Sequence, residues 1–276
     1  MHQRRERQNR VWLLAGTGEG PPLAAALLQR GWQVHVSVVT PRAAQAYARL
    51  PLDQLHVGAL TGTAGINALL DRCGGFRWVV DATHPFATQI SDQLQHVCGD
   101  RGQPLLRLLR PAVSGGDVVV LKQLADLAVQ PLNNHRILLA IGGRRLSTAV
   151  AAATTAGAEA FVRVLPSVEG LRAALSVGLP ADRLAVLRPL QGPGSGSIER
   201  ALIDRWQITD VLCRQSGGVT EQLWRAIAME RGLRLWLLER PVEPRGVETV
   251  LGVQALLQRL DHAGAIAPDP CSDDRG

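Results

Sequence analysis

Val11-Trp12-Leu13-Leu14-Ala15-Gly16-Thr17-Gly18-Glu19-Gly20-Pro21 holds a strand, a turn and the start of a helix. The apolar run Val11 to Ala15 predicts a buried strand, Gly16 to Gly20 a turn, and Pro21 to Arg30 a helix that Gly31 ends. Glycines in such a turn let the backbone approach a pyrophosphate, and the N–H groups of the following helix would face the anion. The string is not a full G-x-G-x-x-G, because Pro21 stands where the third glycine would fall. An ordinary strand-to-helix turn has a similar composition, so a dinucleotide loop is read from motif and position together.

Working outward, Val34 to Val39 is a second strand, and the chain beyond it offers Thr40 and Arg42 but no Asp or Glu. An acid there would take a ribose 2′-hydroxyl, whereas Thr40 and Arg42 suit a 2′-phosphate. NADPH is therefore expected, with NADH possible. Further strands are expected at Trp78 to Ala82 and Pro104 to Leu109, with a helix over Ala87 to Cys98. Pro111 to Asn134 reads as a passage between two halves, after which the rhythm restarts. Strands are expected at Ile137 to Ile141, Ala160 to Leu165, Leu184 to Leu187, Val211 to Arg214 and Leu233 to Leu238. Helices are expected at Ser197 to Trp206, Thr220 to Arg231 and Val247 to Leu260. This βαβ rhythm predicts an α/β protein of two doubly wound, Rossmann-like domains with mainly parallel sheets facing a central cleft. Residues 11–112 would bind NAD(P)H and 113–262 would form the substrate side, with 1–10 and 263–276 as flexible tails.

The 276 residues are 46% hydrophobic and 20% charged, which excludes wholesale disorder. Apolar runs are too short for a bilayer span or a signal-peptide core, so a soluble, cytoplasmic protein is expected. Cys73, Cys98, Cys213 and Cys271 show no C-x-x-C spacing and the histidines do not cluster, so no metal site is expected. The formal net charge is +6, and Lys122 is the only lysine among the 30 basic residues. An arginine-rich solvated surface accounts for this, and so does a polyanionic partner, since guanidinium binds carboxylate and phosphate in bidentate fashion. No basic run is interleaved with aromatics, which argues against nucleic acid and leaves a small molecule with many carboxylates. Several chemistries are excluded. The single tyrosine, Tyr47, and Lys122 cannot form a Tyr-x-x-x-Lys pair, no Gly-Lys supports a Walker A loop, and no G-x-S-x-G is present.

Asp81-Ala82-Thr83-His84-Pro85-Phe86-Ala87 follows a strand, at the edge where open α/β sheets collect ligands. Asp81 and His84 supply an ionisable pair, and Phe86 a flat apolar wall. Equally, Asp81 would serve as a helix cap and His84 as a backbone hydrogen-bond partner.

With Leu14 to Glu19, this string resembles the precorrin-6A reductases, NAD(P)H-dependent enzymes of corrin ring biosynthesis. Leu106-Arg107-Leu108-Leu109-Arg110-Pro111, Ile141-Gly142-Gly143-Arg144, Ser216-Gly217-Gly218 and Glu239-Arg240-Pro241 are similar to further segments of that family, in order, from about Val11 to Leu260. Three positions depart from it: Arg214 replaces a lysine, Gly194 an aromatic residue, and Gly142 a threonine. The resemblance implies hydride transfer to a conjugated ring double bond of an anionic tetrapyrrole. It implies a cofactor site of Gly16, Thr17, Gly18, Glu19, Thr40, Arg42 and Thr83. Catalysis would fall to His84 and Asp81, with His84 or water as the proton donor and Asp81 either orienting His84 or only holding the loop. Substrate would meet Phe86, Arg144, Arg188, Arg214, Ser216, Gly217 and Gly218, the last three through N–H groups and a hydroxyl. No protein, membrane or nucleic-acid partner is implied. An NADP-binding sensor and a reductase of another anionic small molecule stay open as alternatives.

Overall fold

The structure, a computed structural model, describes residues 9–113, 115, 117–190 and 192–262. The chain starts with β1 (Arg10–Ala15), α1 (Gly20–Gln29), β2 (Gln33–Val38), α2 (Pro41–Gln45), β3 (Gln54–Val57), α3 (Gly62–Cys73), β4 (Trp78–Ala82), α4 (Thr88–Asp100) and β5 (Leu105–Leu109). It continues through β6 (Val118–Leu121), β7 (Arg136–Ala140), α5 (Leu146–Thr155), β8 (Glu159–Val164), α6 (Val168–Ser176), β9 (Leu184–Val186), α7 (Ser197–Trp206), β10 (Asp210–Arg214), α8 (Val219–Arg231) and β11 (Arg234–Leu238). It closes with β12 (Glu248–Leu251) and α9 (Gly252–His262).

Two compact units result. One comprises the chain up to Pro111 together with the chain from Pro241, and the other is Ala112–Arg240. Each holds a six-stranded sheet, ordered β12-β5-β4-β1-β2-β3 in the first and β6-β11-β10-β7-β8-β9 in the second. All pairings among these strands are parallel. The plan is the same in both. Three strands run outward from the middle of the sheet, the chain crosses back, and two run the other way. The point of reversal lies between β1 and β4 in one sheet and between β7 and β10 in the other. Ligands of open parallel sheets collect outside the carboxyl ends at such a point.

The sixth strand of each sheet comes from the segments that join the units, and there the structure departs from expectation. Pro111 to Asn134 is more than a passage, since it contains β6, which pairs with β11. Val247 to Leu260 is a strand and then a helix, and both belong to the first unit, because β5 has a free edge that β12 covers. Arg110-Pro111 and Arg240-Pro241 stand at the two crossings. Arg10 is no tail residue: it opens β1 and donates to the Cys73 carbonyl at 2.8 Å. The expected tail 263–276 lies outside the described residues.

Alternation along the strands sends side chains to the two faces. In the first unit Val11, Leu13, Val34 and Val36 pack against Leu23 and Leu27 of α1 and Leu256, Leu257 and Leu260 of α9. On the other face Trp12, Leu14 and Val79 meet Ile66, Leu69 and Leu70 of α3 and Leu94 and Val97 of α4. In the second unit Val211, Leu235 and Leu237 pack with Ile203 and Trp206 of α7 and Trp224 and Ile227 of α8. Because α9 completes the first core, Leu260→Ala should lower stability by about 2–5 kcal/mol in denaturant unfolding, whereas a helix outside that core would tolerate the change.

His35 on β2 is buried beside Phe76, bonded through Nε2 to Asp53, with Cys73 Sγ 3.8 Å from Nδ1 and Arg10 3.2 Å from Nε2. Burial holds its pKa below the ordinary 6.5, with Arg10 adding to the depression and Asp53 opposing it. The folded state therefore binds fewer protons than the unfolded state just below 6.5. The contribution is full above that pH and is lost as the pH falls through the folded value. Stability measured by urea unfolding should decline below pH 6.5 more steeply in the wild type than in His35→Gln, by up to about 1.4 kcal/mol per pH unit.

Candidate functional site

In the first sheet the register sets Ala15 opposite Ala82, so the glycine loop after β1 and the loop after β4 leave the sheet side by side. Gly16 and Gly18 have open space where a side chain would stand. A side chain on Gly20 would run into the Tyr47 hydroxyl and come within 2.7 Å of Ala15 Cβ. Gly20, one residue before the expected position, is thus the glycine of close helix–strand packing. The Thr17 hydroxyl is buried without a hydrogen-bond partner. An open cradle over two glycines and an orphaned hydroxyl beside them fit a dinucleotide phosphate.

The helix itself does not offer what the sequence suggested. Gly20 N–H donates to the Thr17 carbonyl at 3.1 Å, and Pro21 and Pro22 have no N–H. Glu19 is no ligand group either, since its carboxylate binds Arg110 Nε at 2.5 Å. Thr40 caps α2, accepting from Ala43 N–H at 3.2 Å, while Arg42 on that helix is exposed.

Asp81 and Arg107 face each other on β4 and β5, each only 2% exposed, with Arg107 Nη1 2.8 Å from Asp81 Oδ1. Oδ1 also accepts from Thr83 N–H at 3.0 Å and Thr83 Oγ1 at 2.7 Å, and Oδ2 accepts from Ser91 Oγ at 2.6 Å. Arg107 reaches Thr83 Oγ1 at 3.1 Å and Glu243 Oε2 at 2.9 Å. Asp81 is thus an anchor for its loop rather than an acid or base, and the Thr83 hydroxyl is taken up in the same network. His84 Nδ1 accepts Phe86 N–H at 3.2 Å, and the two rings lie 5.7 Å apart. A backbone N–H only donates, so the His84 proton sits on Nε2. An imidazolium would have to give up this bond, which weakens the expected role of proton donor.

In the second unit β7 and β10 are neighbours, and the loops after them carry Gly142 to Arg145 and Gln215 to Gly218. Arg214 is half-buried, 3.7 Å from where a Gly142 side chain would stand. Burial pulls its pKa below the usual guanidinium value, and the charges of Arg144 and Arg145 pull the same way. Arg144 and Arg214 are thus brought together, with Arg145 added, whereas Arg188 follows β9 at the sheet margin. The Ser216 loop braces itself instead of presenting donors. Gly217 N–H donates to Glu221 Oε2 at 2.7 Å and Gly218 N–H to Ser216 Oγ at 3.4 Å. Glu221 is held in turn by Arg225 Nε at 2.8 Å. A cavity of about 550 Å³ opens at the opposite edge of this sheet, where Asp210 binds His135, Thr209 and Trp236, away from the motif-bearing loops. Among the described residues no cluster of His, Cys, Asp and Glu is suited to a metal, and no helix is long and apolar enough to cross a membrane.

Sequence reasoning gave no role to Arg107, Arg110, Arg145, Ser91, Glu221 or Glu243. Arg107 and Arg110 were in view, inside the Leu106 to Pro111 string, but their acidic partners lie far off along the chain.

The family model described as precorrin-6x reductase CbiJ/CobK matches residues 10–261. A cobalt-precorrin-6A reductase of Synechocystis sp. PCC 6803 is 32% identical over 237 residues, 84% of this chain and 88% of the relative. A precorrin-6A reductase of Mycobacterium tuberculosis is 30% identical over 245 residues, 87% of this chain and 93% of the relative. The solved structure of a CobK precorrin-6A reductase superposes with a TM-score of 0.72 at 27% identity, covering 95% of this chain and 100% of its own.

Replacing Arg107 by methionine strands Asp81 as an uncompensated buried charge, so Arg107→Met should cost about 3–5 kcal/mol in urea unfolding. Adding Asp81→Asn should recover part of that loss, and a double-mutant cycle without such coupling would contradict the pairing.

Proposed function

The chain belongs to the precorrin-6x reductase family, and we propose that it is a cytoplasmic enzyme that reduces a ring double bond of precorrin-6A, or of cobalt-precorrin-6A, to the dihydro form at the expense of NADPH. The observation that carries this reading is the glycine loop and the Asp81 to Ala87 loop meeting at the β1/β4 reversal, in a chain matched to the family from end to end of its described core. A reduced nicotinamide supplies the hydride when bound.

Gly16, Thr17 and Gly18 would hold the cofactor's phosphates. Thr40 is spent on capping α2 and β2 ends without an acid, so preference for a 2′-phosphate falls to exposed Arg42. Phe86 would offer an apolar face to the macrocycle. Arg144, Arg145 and Arg214 would take its carboxylates, with Arg188 farther along the edge. Asp81 and Arg107 position the His84 loop. His84 would donate Nε2–H to the substrate, and the proton that follows the hydride would come from water.

The test is spectrophotometric loss of reduced nicotinamide, with NADPH and then NADH, each given metal-free or cobalt-loaded precorrin-6A. Oxidation that depends on the tetrapyrrole is expected; tight cofactor binding without turnover on either macrocycle would overturn the reading in favour of a binding-only protein. Arg42→Ala should raise KM for NADPH about tenfold, about 1.4 kcal/mol, and leave KM for NADH unchanged. Equal losses with both cofactors would remove Arg42 from the discrimination.

A further inference from the structure

Two hydroxyl groups of the first unit are buried without a partner among the described residues, and both flank the start of α1. One is Thr17 Oγ1 in the glycine loop; the other is the phenol of Tyr47. Tyr47 is 3% exposed, and its hydroxyl fills the space that a side chain on Gly20 would need. Neither oxygen has a protein partner among the described residues. Buried hydroxyls are seldom left in this state unless function asks for it.

The start of α1 supplies the reason. A helix N-terminus attracts anions because its first N–H groups have no partner within the helix. In α1 the first of these goes to the Thr17 carbonyl, and the next two positions are Pro21 and Pro22. Leu23 N–H already bonds to the Glu19 carbonyl at 3.1 Å. The positive end of the helix remains, but the first turn lacks N–H donors to aim at a phosphate.

We propose that Tyr47 is a cofactor-binding residue whose hydroxyl, together with that of Thr17, donates to a phosphate oxygen of the dinucleotide in place of the donors that Pro21 and Pro22 remove. This rests on the reading of the first unit as the nicotinamide dinucleotide site. Tyr47 is well placed for it. It follows α2 by two residues, its N–H bonds to the Ala44 carbonyl at 2.9 Å, and its carbonyl accepts from Leu50 N–H at 2.9 Å. One short, braced segment thus carries Arg42 and the phenol that reaches Gly20. Burial pushes the phenol pKa up to about 12, which keeps the hydroxyl a donor at any working pH.

The test is the dissociation constant for NADPH, read from nicotinamide fluorescence, alongside the Tm of the ligand-free protein. Tyr47→Phe should weaken NADPH binding about tenfold without lowering that Tm, because the hydroxyl it removes has no protein partner among the described residues. Thr17→Val should weaken binding to a similar degree, and it decides the matter if Tyr47→Phe does not fold. A tyrosine with a merely structural role would give the reverse, a lower Tm with unchanged affinity, and that result would overturn the proposal. If the wild type binds NADPH and both variants bind it equally well, the inference fails and the cofactor reading stands. If the wild type binds neither NADPH nor NADH, the cofactor reading fails and the inference goes with it.

Discussion

The ion pair of Arg107 and Asp81 is the interaction on which the order of the first unit's ligand-facing edge depends. Two charges withdrawn from water are tolerated only when their remaining lone pairs and protons are also satisfied. Asp81 meets this demand with Thr83 and Ser91, and Arg107 with Thr83 and Glu243. Those partners lie on the loop after β4, on α4, and on the segment that leads into β12. The desolvation cost of one pair therefore fixes three stretches of chain, and the His84 loop is held because the pair would otherwise be unstable. A pair of apolar residues would hold β4 to β5 just as well, but it would not specify where the loop goes.

How much of this was legible in the sequence depends on burial. Central strands such as Trp78–Ala82 are buried on both faces of a parallel sheet, so they read as unbroken apolar runs and were placed to within a residue or so. The edge strands β6 and β12 have only four residues each, and although β6 is wholly apolar, Val118-Val119-Val120-Leu121, a run that short does not stand out within the segment that joins the two units. The sixth strand of each sheet was missed for that reason, and with β12 went the return of the chain to its first unit. In the site the strings were visible but the roles of their residues were not. A sequence shows that Asp81, Glu19 and Gly217 carry polar groups. It does not show that Arg107, Arg110 and Glu221 have already claimed them.

Besides the buried or part-buried arginines paired with acids, Arg107, Arg110 and Arg225, the arginine-rich composition holds two further groups. Arg101 with Asp71, Arg231 with Asp204, Arg259 with Glu248 and Arg200 with Glu230 are exposed pairs. Such pairs add little to stability and need no partner molecule to explain them. Arg144, Arg145 and Arg214 gather at one edge of the second sheet, where burial first, and the charges of Arg144 and Arg145 after it, pull the titration of Arg214 down.

The two units share a strand order yet differ in the residues that come directly after the central strand. In both, a glycine admits close packing: Gly20 against Tyr47, and Gly143 with Ala173 Cβ 3.2 Å from where its own side chain would begin. After β1 the chain then places two prolines, which delete N–H donors and leave side-chain hydroxyls as the polar groups nearest the helix end. After β7 it places Arg144 and Arg145. Hydroxyls and glycine backbone are neutral donors at short range, suited to a phosphodiester that must lie close to the chain. Guanidinium groups act at longer range and match the planar geometry of carboxylates. One topology used twice therefore places different donors after its central strands, hydroxyls and glycine backbone in one unit and guanidinium groups in the other.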